Sequence, residues 1–188
     1  GFPILLGNEV LGVMEFFSRE IRQPDEELLR MMTTIGSQIG QYIERRKAEE
    51  QLDRFFTLSL DMLCIAGFDG CYKRLNPAWE RTLGYSDEEL MSRPYVDFVH
   101  PEDQDATRAA TAMLSTGVSI ISFENRYRCR DGRYKWLLWK AAPLAADQKI
   151  YAAARDITER KQAEQAQQEN ASRLAQLVKE LEAAKHRA

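Results

Sequence analysis

Cysteine is scarce in this sequence of 188 residues: Cys64, Cys71 and Cys129 are all there are, an odd number with no Cys-x-x-Cys spacing. That argues against a disulfide framework or a zinc site and makes a reducing cytosol the expected compartment. Long hydrophobic runs are also lacking. The first apolar stretch, "GFPILLGNEVLGVMEFF", is broken at Gly7-Asn8-Glu9, is too short to span a bilayer and does not read as a secretory signal. Charge of one sign is lacking too. Lys and Arg number 26 against 29 Asp and Glu, a net charge of −3, so neither nucleic acid nor an anionic membrane surface is an expected partner. There is no Gly-rich nucleotide box, Walker loop, nucleophile elbow or His-Glu-x-x-His run, so no enzyme signature is legible. The chain begins at Gly1 rather than Met, which reads as a piece of a longer polypeptide.

What is present suits one domain with a real core and many solvated helix faces: 44% apolar and 29% charged residues. Ile4 to Leu6 and Val10 to Phe17 read as strands around a Gly7-Asn8 turn, a ribbon marginal on its own and in need of a cover. A helix is expected after Pro24, with Asp25, Glu26 and Glu27 matching the partial positive charge of a helix start. Leu28, Met32, Ile35, Ile39 and Tyr42 form its apolar stripe. Gly36 and Gly40 either weaken that helix or let another helix approach closely.

From Leu63 the pattern shortens. "MLCIAGFDGCYKRLNP" reads as a hairpin turning at Asp69-Gly70. A short helix is expected over Ala78 to Leu83, and another opening at Ser86 with Glu89 at capping-box spacing. A third starts at Pro101 and ends before Gly117. Three strands close the pattern: "SIISFENRYRC", "RYKWLLWKAAPL" and "KIYAAARDI", the first two joined at Asp131-Gly132. Strands and helices so segregated imply an α+β fold, a five-stranded antiparallel sheet with short helices on one face.

The last strand runs without Gly or Pro into "TERKQAEQAQQENASRLAQLVKELEAAKHRA", whose composition favours helix. Leu174, Leu177, Leu181, Ala184 and Ala188 follow coiled-coil spacing for about two heptads, and Gln167 and Asn170 loosen the seam upstream. One charged phrase is also written twice. "ERRKAEEQL" begins at Glu44 and "ERKQAEQA" begins 115 positions later at Glu159, with Glu, Arg, Ala and Glu in register. Both read as solvated helix faces rather than binding patches.

Residues 55–158 resemble a PAS domain, on the phrases "FDGCYKRLNPAWERTLGYSDEEL", "DFVHPED", "RYRCRDGRYKWLLWKAAP" and "RDITERK", taken together and in order. The opening "GFPILLGNEVLGVMEFFSREIRQPDEELLRMMTTIGSQIGQYIER" resembles the last strands and final helix of a GAF domain. "LVKELEAAKHRA" is similar to linkers entering the dimerisation helices of hybrid sensor histidine kinases. The resemblance implies residues 1–22 as a GAF remnant, 23–54 as a connecting helix, 55–158 as the PAS domain and 159–188 as a coiled-coil linker. It further implies a homodimer through the two long helices, a cytoplasmic setting, and a parent that is a sensor histidine kinase or, second, a cyclic-di-nucleotide enzyme. The charged phrases would then stand where one sensory module hands over to the next.

The resemblance makes Asp156, Ile157 and Thr158 the coupling point between sheet and output helix; a plain helix start, with Asp156 and Glu159 as a capping pair, is the alternative. It also implies that Asp156 pairs with a basic residue such as Arg128 or Arg130. A cavity is expected between sheet and helices, lined by Trp79, Leu83, Tyr95, Phe98, Phe123, Tyr127, Trp136 and Tyr151. It is either a small-ligand pocket or a filled aromatic core. No cofactor is predicted. "MSRPYVDFVHPEDQ" lacks the Asn-Cys-Arg run of light-sensing relatives. The helix from Glu102 to Ser115 lacks a His for haem, and His100 serves a turn. Cys64 and Cys71 read as buried structural thiols. His186 lacks the residues that follow a phosphoacceptor histidine.

Overall fold

In a computed structural model, residues 1–17 and 26–185 are described, apart from the side chains of 178 and 180–185. Pro24, Asp25, His186 and Ala188 lie outside the described residues. The chain divides into two compact units, Gly1–Phe56 and Thr57–Ala188.

In the first unit, strands β1 (Phe2–Leu6) and β2 (Glu9–Met14) pair antiparallel around Gly7-Asn8, with a bulge between Ile4 and Leu5. Helix α1 spans Glu26–Leu58. Its buried residues are Gly36 and Gly40, one turn apart. A Cβ on Gly36 would collide with the Pro3 carbonyl oxygen, and one on Gly40 with that of Leu5. The close approach foreseen at these glycines therefore comes from the hairpin and not from another helix, and α1 is the cover the ribbon needs. Met32, Ile35 and Ile39 are half-buried, whereas Leu28 and Tyr42 at the ends of the expected stripe are exposed. α1 continues past residue 54 to Leu58.

The second unit begins with β3 (Met62–Gly67) and β4 (Tyr72–Leu75). α2 (Ala78–Leu83) and α3 (Asp87–Met91) follow, then two 3-10 turns at Tyr95–Phe98 and Pro101–Asp103. α4 spans Gln104–Ser115. Three strands, β5 (Ile120–Arg128), β6 (Tyr134–Leu144) and β7 (Lys149–Asp156), lead into α5 (Thr158–Lys185). The sheet order is β4-β3-β7-β6-β5, antiparallel throughout. This is the expected α+β fold with a five-stranded antiparallel sheet, short helices and a long N-terminal helix.

Local chemistry accounts for these elements. Ser86 and Glu89 make the full capping box: the Glu89 amide donates to Ser86 Oγ at 3.2 Å and the Ser86 amide to Glu89 Oε2 at 2.8 Å. Gly132 takes φ +87° in the β5–β6 turn, a conformation open to glycine at little cost. Inward side chains of the sheet and the inner sides of α2–α4 form one core, with Trp79, Phe98, Leu90 and Leu137 fully buried. Asn76, also fully buried, fastens the start of the sheet. Its Oδ1 accepts from the Leu63 amide at 2.9 Å, and its Nδ2 donates to the Asp61 carbonyl at 3.0 Å. Arg155 forms a two-pronged pair with Asp61, at 2.9 and 2.7 Å, beside the central β3–β7 ladder in which Met62 faces Ala154.

Candidate functional site

The passage from β7 into α5 is held by side chains as well as backbone. Asp156 Oδ1 accepts from the Thr158 amide at 2.9 Å and the Thr158 hydroxyl at 2.6 Å. Its Oδ2 accepts from Lys135 Nζ at 2.7 Å. Thr158 Oγ1 accepts in turn from the Trp136 amide at 3.0 Å, and the Ile157 amide donates to the Trp136 carbonyl at 2.8 Å. Ile157 is buried, and its carbonyl accepts from the Lys161 amide to start the helix. β6 thus grips both sides of the turn.

Burial pushes the Asp156 carboxyl up, but the hydrogen bonds from Lys135 and Thr158 outweigh it, and the net direction is down. Asp156 caps through Thr158, two residues on. Its basic partner is Lys135, not Arg128 or Arg130. The reason is strand order: β6 lies between β7 and β5, so β5 and the turn after it are one strand too far away.

A cavity of about 60 Å³ lies between the sheet and α4. Of the eight residues expected around it, Tyr95, Phe123 and Tyr127 line it. Trp79 stands behind the wall, its ring 5.0 Å from Tyr72 and 5.7 Å from Trp139, with Nε1 donating to the Leu63 carbonyl at 3.0 Å. Leu83 and Phe98 are buried elsewhere in the core, Phe98 against Tyr85 at 5.2 Å. Trp136 and Tyr151 belong to the opposite face of the sheet. Leu137 is buried and Trp139 lines the cavity, so strand alternation turns Trp136 outward; Ile150 and Ala152 line it, so Tyr151 points away and is exposed.

Small residues leave the space: Ala66, Ala110, Ala141 and Ala152 line it. Its polar groups largely satisfy one another. Asn125 Nδ2 donates to Thr107 Oγ1 at 3.0 Å, Trp139 Nε1 donates to Asn125 Oδ1 at 2.7 Å, and the Tyr72 and Tyr127 hydroxyls lie 3.0 Å apart. Burial pushes the Cys64 thiol, also on the wall, up to about 12, which keeps it protonated and unreactive.

Haem and flavin do not fit this site. Ligand pockets for molecules of drug size run to about 300–1,000 Å³, and no histidine lines the cavity. His100 caps the 3-10 turn, its Nδ1 accepting from the Glu102 amide at 3.3 Å and its ring packed edge-on to Tyr134 at 4.6 Å. Among the described residues no three His, Cys, Asp or Glu gather as a metal site, and no helix is long and apolar enough to cross a membrane. Of the coiled-coil seam, Leu174 and Leu177 are exposed on α5, and the side chains of Leu181 and Ala184 lie outside the described residues.

Known proteins resemble the chain in the same region. A curated archaeal protein, the methyl sulfide methyltransferase-associated sensor of Methanosarcina acetivorans, is 35% identical over 183 residues. The match takes in 92% of this chain but only 18% of that protein. The PAS domain of an HTR-like protein from Haloarcula marismortui superposes with a TM-score of 0.55 at 23% identity, over 62% of this chain and 98% of that one. A domain of a sensory box sensor histidine kinase/response regulator from Geobacter sulfurreducens gives 0.52 at 24% identity, over 58% and 94%. At those identities the superpositions speak to the fold alone. A family model described as the PAS fold matches residues 72–153. Within the five-stranded unit, therefore, residues 72–153 take the PAS fold.

Proposed function

We propose that this chain is a sensory relay segment of a multidomain signal-transduction protein, passing a change in the PAS core or in dimer packing to a downstream effector through α5. The observation that carries the reading is the junction at Asp156, Ile157 and Thr158. The last strand passes into α5 with Ile157 alone between them, and side chains fix the turn to β6. A helix so anchored carries displacement stiffly, where a Gly/Ser tether would dissipate it.

A relative named as a sensor, of which this chain spans less than a fifth, supports a place inside a longer signalling protein. The reading extends to the divisions of the chain: 1–22 as a GAF remnant, 23–54 as a connecting helix, 55–158 as the PAS domain and 159–188 as the linker. It takes the working form as a cytoplasmic homodimer through α1 and α5, with Leu174, Leu177, Leu181 and Ala184 on the seam. Catalysis resides elsewhere in the parent, in a histidine kinase or, second, a diguanylate cyclase or phosphodiesterase.

The test is to insert one residue into α5 within the full-length parent, which rotates everything downstream by about 100°. The expected outcome is a changed effector output. Unchanged output would leave only a dimerising scaffold.

A second reading is favoured by the cavity: a ligand sensor proper. About 60 Å³ with a mostly apolar lining suits a molecule of a few non-hydrogen atoms. Mass spectrometry of protein denatured straight from purification tests it. A stoichiometric small molecule would support it, and none would favour the relay alone.

A further inference from the structure

We infer that β5 carries a second anchor for α5, the carboxylate of Glu124, and that the strand makes this anchor answer to the cavity. The inference rests on the relay reading and names the route. Glu124, Asn125 and Arg126 are consecutive, so strand alternation sends Glu124 and Arg126 to the outer face and Asn125 to the cavity.

On the outer face, Glu124 Oε1 accepts from Arg160 at 2.6 Å and Oε2 pairs with Lys161 Nζ at 2.6 Å. These are the third and fourth residues of α5. Lys161 Nζ also lies 5.2 Å from the centre of the Trp136 ring, and the Arg126 guanidinium 5.3 Å from the same ring. Arg126 is tied to the approach to α4: its backbone amide, Nε and terminal nitrogen all donate to the Asp103 carboxylate at 2.7–2.9 Å, and the terminal nitrogen reaches Glu102 at 2.8 Å.

On the inner face, Asn125 bonds Thr107, whose hydroxyl donates to the Asp103 carbonyl at 2.8 Å. The cavity has α4 on one side, through Thr107, Ala110, Thr111 and Leu114, and the inner face of the sheet, β5 included, on the other. Whatever enters it, or any repacking of it, presses α4 and β5 apart. Among the ties that resist are Asn125–Thr107 inside and Arg126–Asp103 outside. Strain on either moves the backbone that holds Glu124 and unloads Trp136, so the first turn of α5 loses side-chain support while the Asp156 hinge stays closed. Two anchors then separate two jobs. Asp156 fixes where the helix begins, and Glu124 fixes where it points.

Amide hydrogen exchange on the whole chain tests this, with near-UV circular dichroism confirming that each variant is folded. Glu124→Gln should raise exchange over residues 158–165 by up to about fivefold, the range expected for a partly exposed ion pair. Lys161→Gln, at a half-buried position on the outer face of the sheet and outside the core, should reproduce it. Thr107→Val, which removes the hydroxyl that joins Asn125 to α4, should raise exchange in the same segment by roughly twofold, with residues 44–50 of α1 unmoved as the control. Thr107→Val combined with Glu124→Gln should exceed Glu124→Gln alone by little, because both act through one route.

An unmoved 158–165 segment in both Glu124→Gln and Lys161→Gln overturns the anchor. Additive effects, or a Thr107→Val change confined to residues 103–125, overturn the link to the cavity. Asp156→Asn separates this failure from that of the relay reading. If it loosens residues 158–165 while Glu124→Gln does not, the β5 route alone falls. If neither does, the junction reading falls with it.

Discussion

The phrase that recurs at Glu44 and Glu159 has two different lives in one molecule. Both copies keep the same internal ion pair, Arg45 with Glu49 at 2.9 Å and Arg160 with Glu164 at 3.6 Å, each one helical turn apart. There the likeness ends. The first copy lies well inside α1, which began at Glu26, and the side chain of Arg45 is 80% exposed. The second opens one residue into α5, where Arg160 and Lys161 reach across to Glu124 on β5.

α1 takes its support elsewhere, from the hairpin backbone seated on Gly36 and Gly40. The same words therefore make a solvated surface in one place and a mooring in the other. The deciding factor is a carboxylate on a neighbouring strand. The two copies also differ in what leads into them: the second begins its helix directly after a sheet, while the first has eighteen helical residues ahead of it.

The largest effect expected in testing this contrast is at α1's own support. Gly40→Ala puts a methyl group onto the Leu5 carbonyl, so the hairpin must shift or lift. A net loss of about 1–3 kcal/mol of hairpin docking is expected, overpacking outweighing the helix propensity gained. Exchange protection of the β1 amides is the measurement.

Next comes Asp156→Ala, which strips Thr158 and Lys135 of a shared partner and should cost about 1–3 kcal/mol, read as a lower denaturant midpoint. Its exchange signature should appear at 158–165 and not at 44–50.

Acid should loosen the second copy in a smaller and reversible way. Lys161, ahead of the opposing effect of burial, holds Glu124 below its ordinary value of 4.5. For Asp156, burial pushes up but the Lys135 and Thr158 hydrogen bonds prevail, leaving it below 3.8. Both folded values are depressed, so the stabilisation is fully present above the ordinary values and is lost as pH falls through the depressed ones. Amide shifts of Thr158 and Arg160 should titrate in that window.

The smallest effect belongs to Arg45→Ala, which should change stability by only about 0.2–0.5 kcal/mol, as an exposed pair one turn apart does. A larger loss by thermal melting would mean that the first copy is moored after all.

Much of the fold was legible because turn chemistry punctuates it. Asp69-Gly70, Asp131-Gly132, Ser86 with Glu89 and Pro101 mark boundaries for local reasons that hold in any context. What depended on neighbours was not legible. β6 reads Trp136-Leu137-Leu138-Trp139, apolar on both faces, so periodicity could not tell which tryptophan looks inward; Trp139 does and Trp136 does not. In β7 the readable signal was the run of small residues in "IYAAARD". Space comes from alanines such as Ala152, not from the aromatics beside them.

Lys135 in place of Arg128 or Arg130 follows from strand order, which no local pattern encodes. The role of Glu124 needed the same knowledge, since its partners stand 36 and 37 positions away. Asn76 follows β4 directly, and in the sequence it marks only the end of that strand. Its buried clamp on Asp61 and Leu63 had one trace in the sequence, the Asn-Pro step that ends β4.

The central pairing of β3 with β7 has a consequence of another kind. Met62 stands opposite Ala154, so the polypeptide comes into the sheet and departs from it at the same end of two neighbouring central strands, about one strand spacing apart, roughly 5 Å. A body tied off so narrowly is a bead clipped onto a thread. It can be spliced into a gene, copied or cut out, and the thread is left nearly the length it had before.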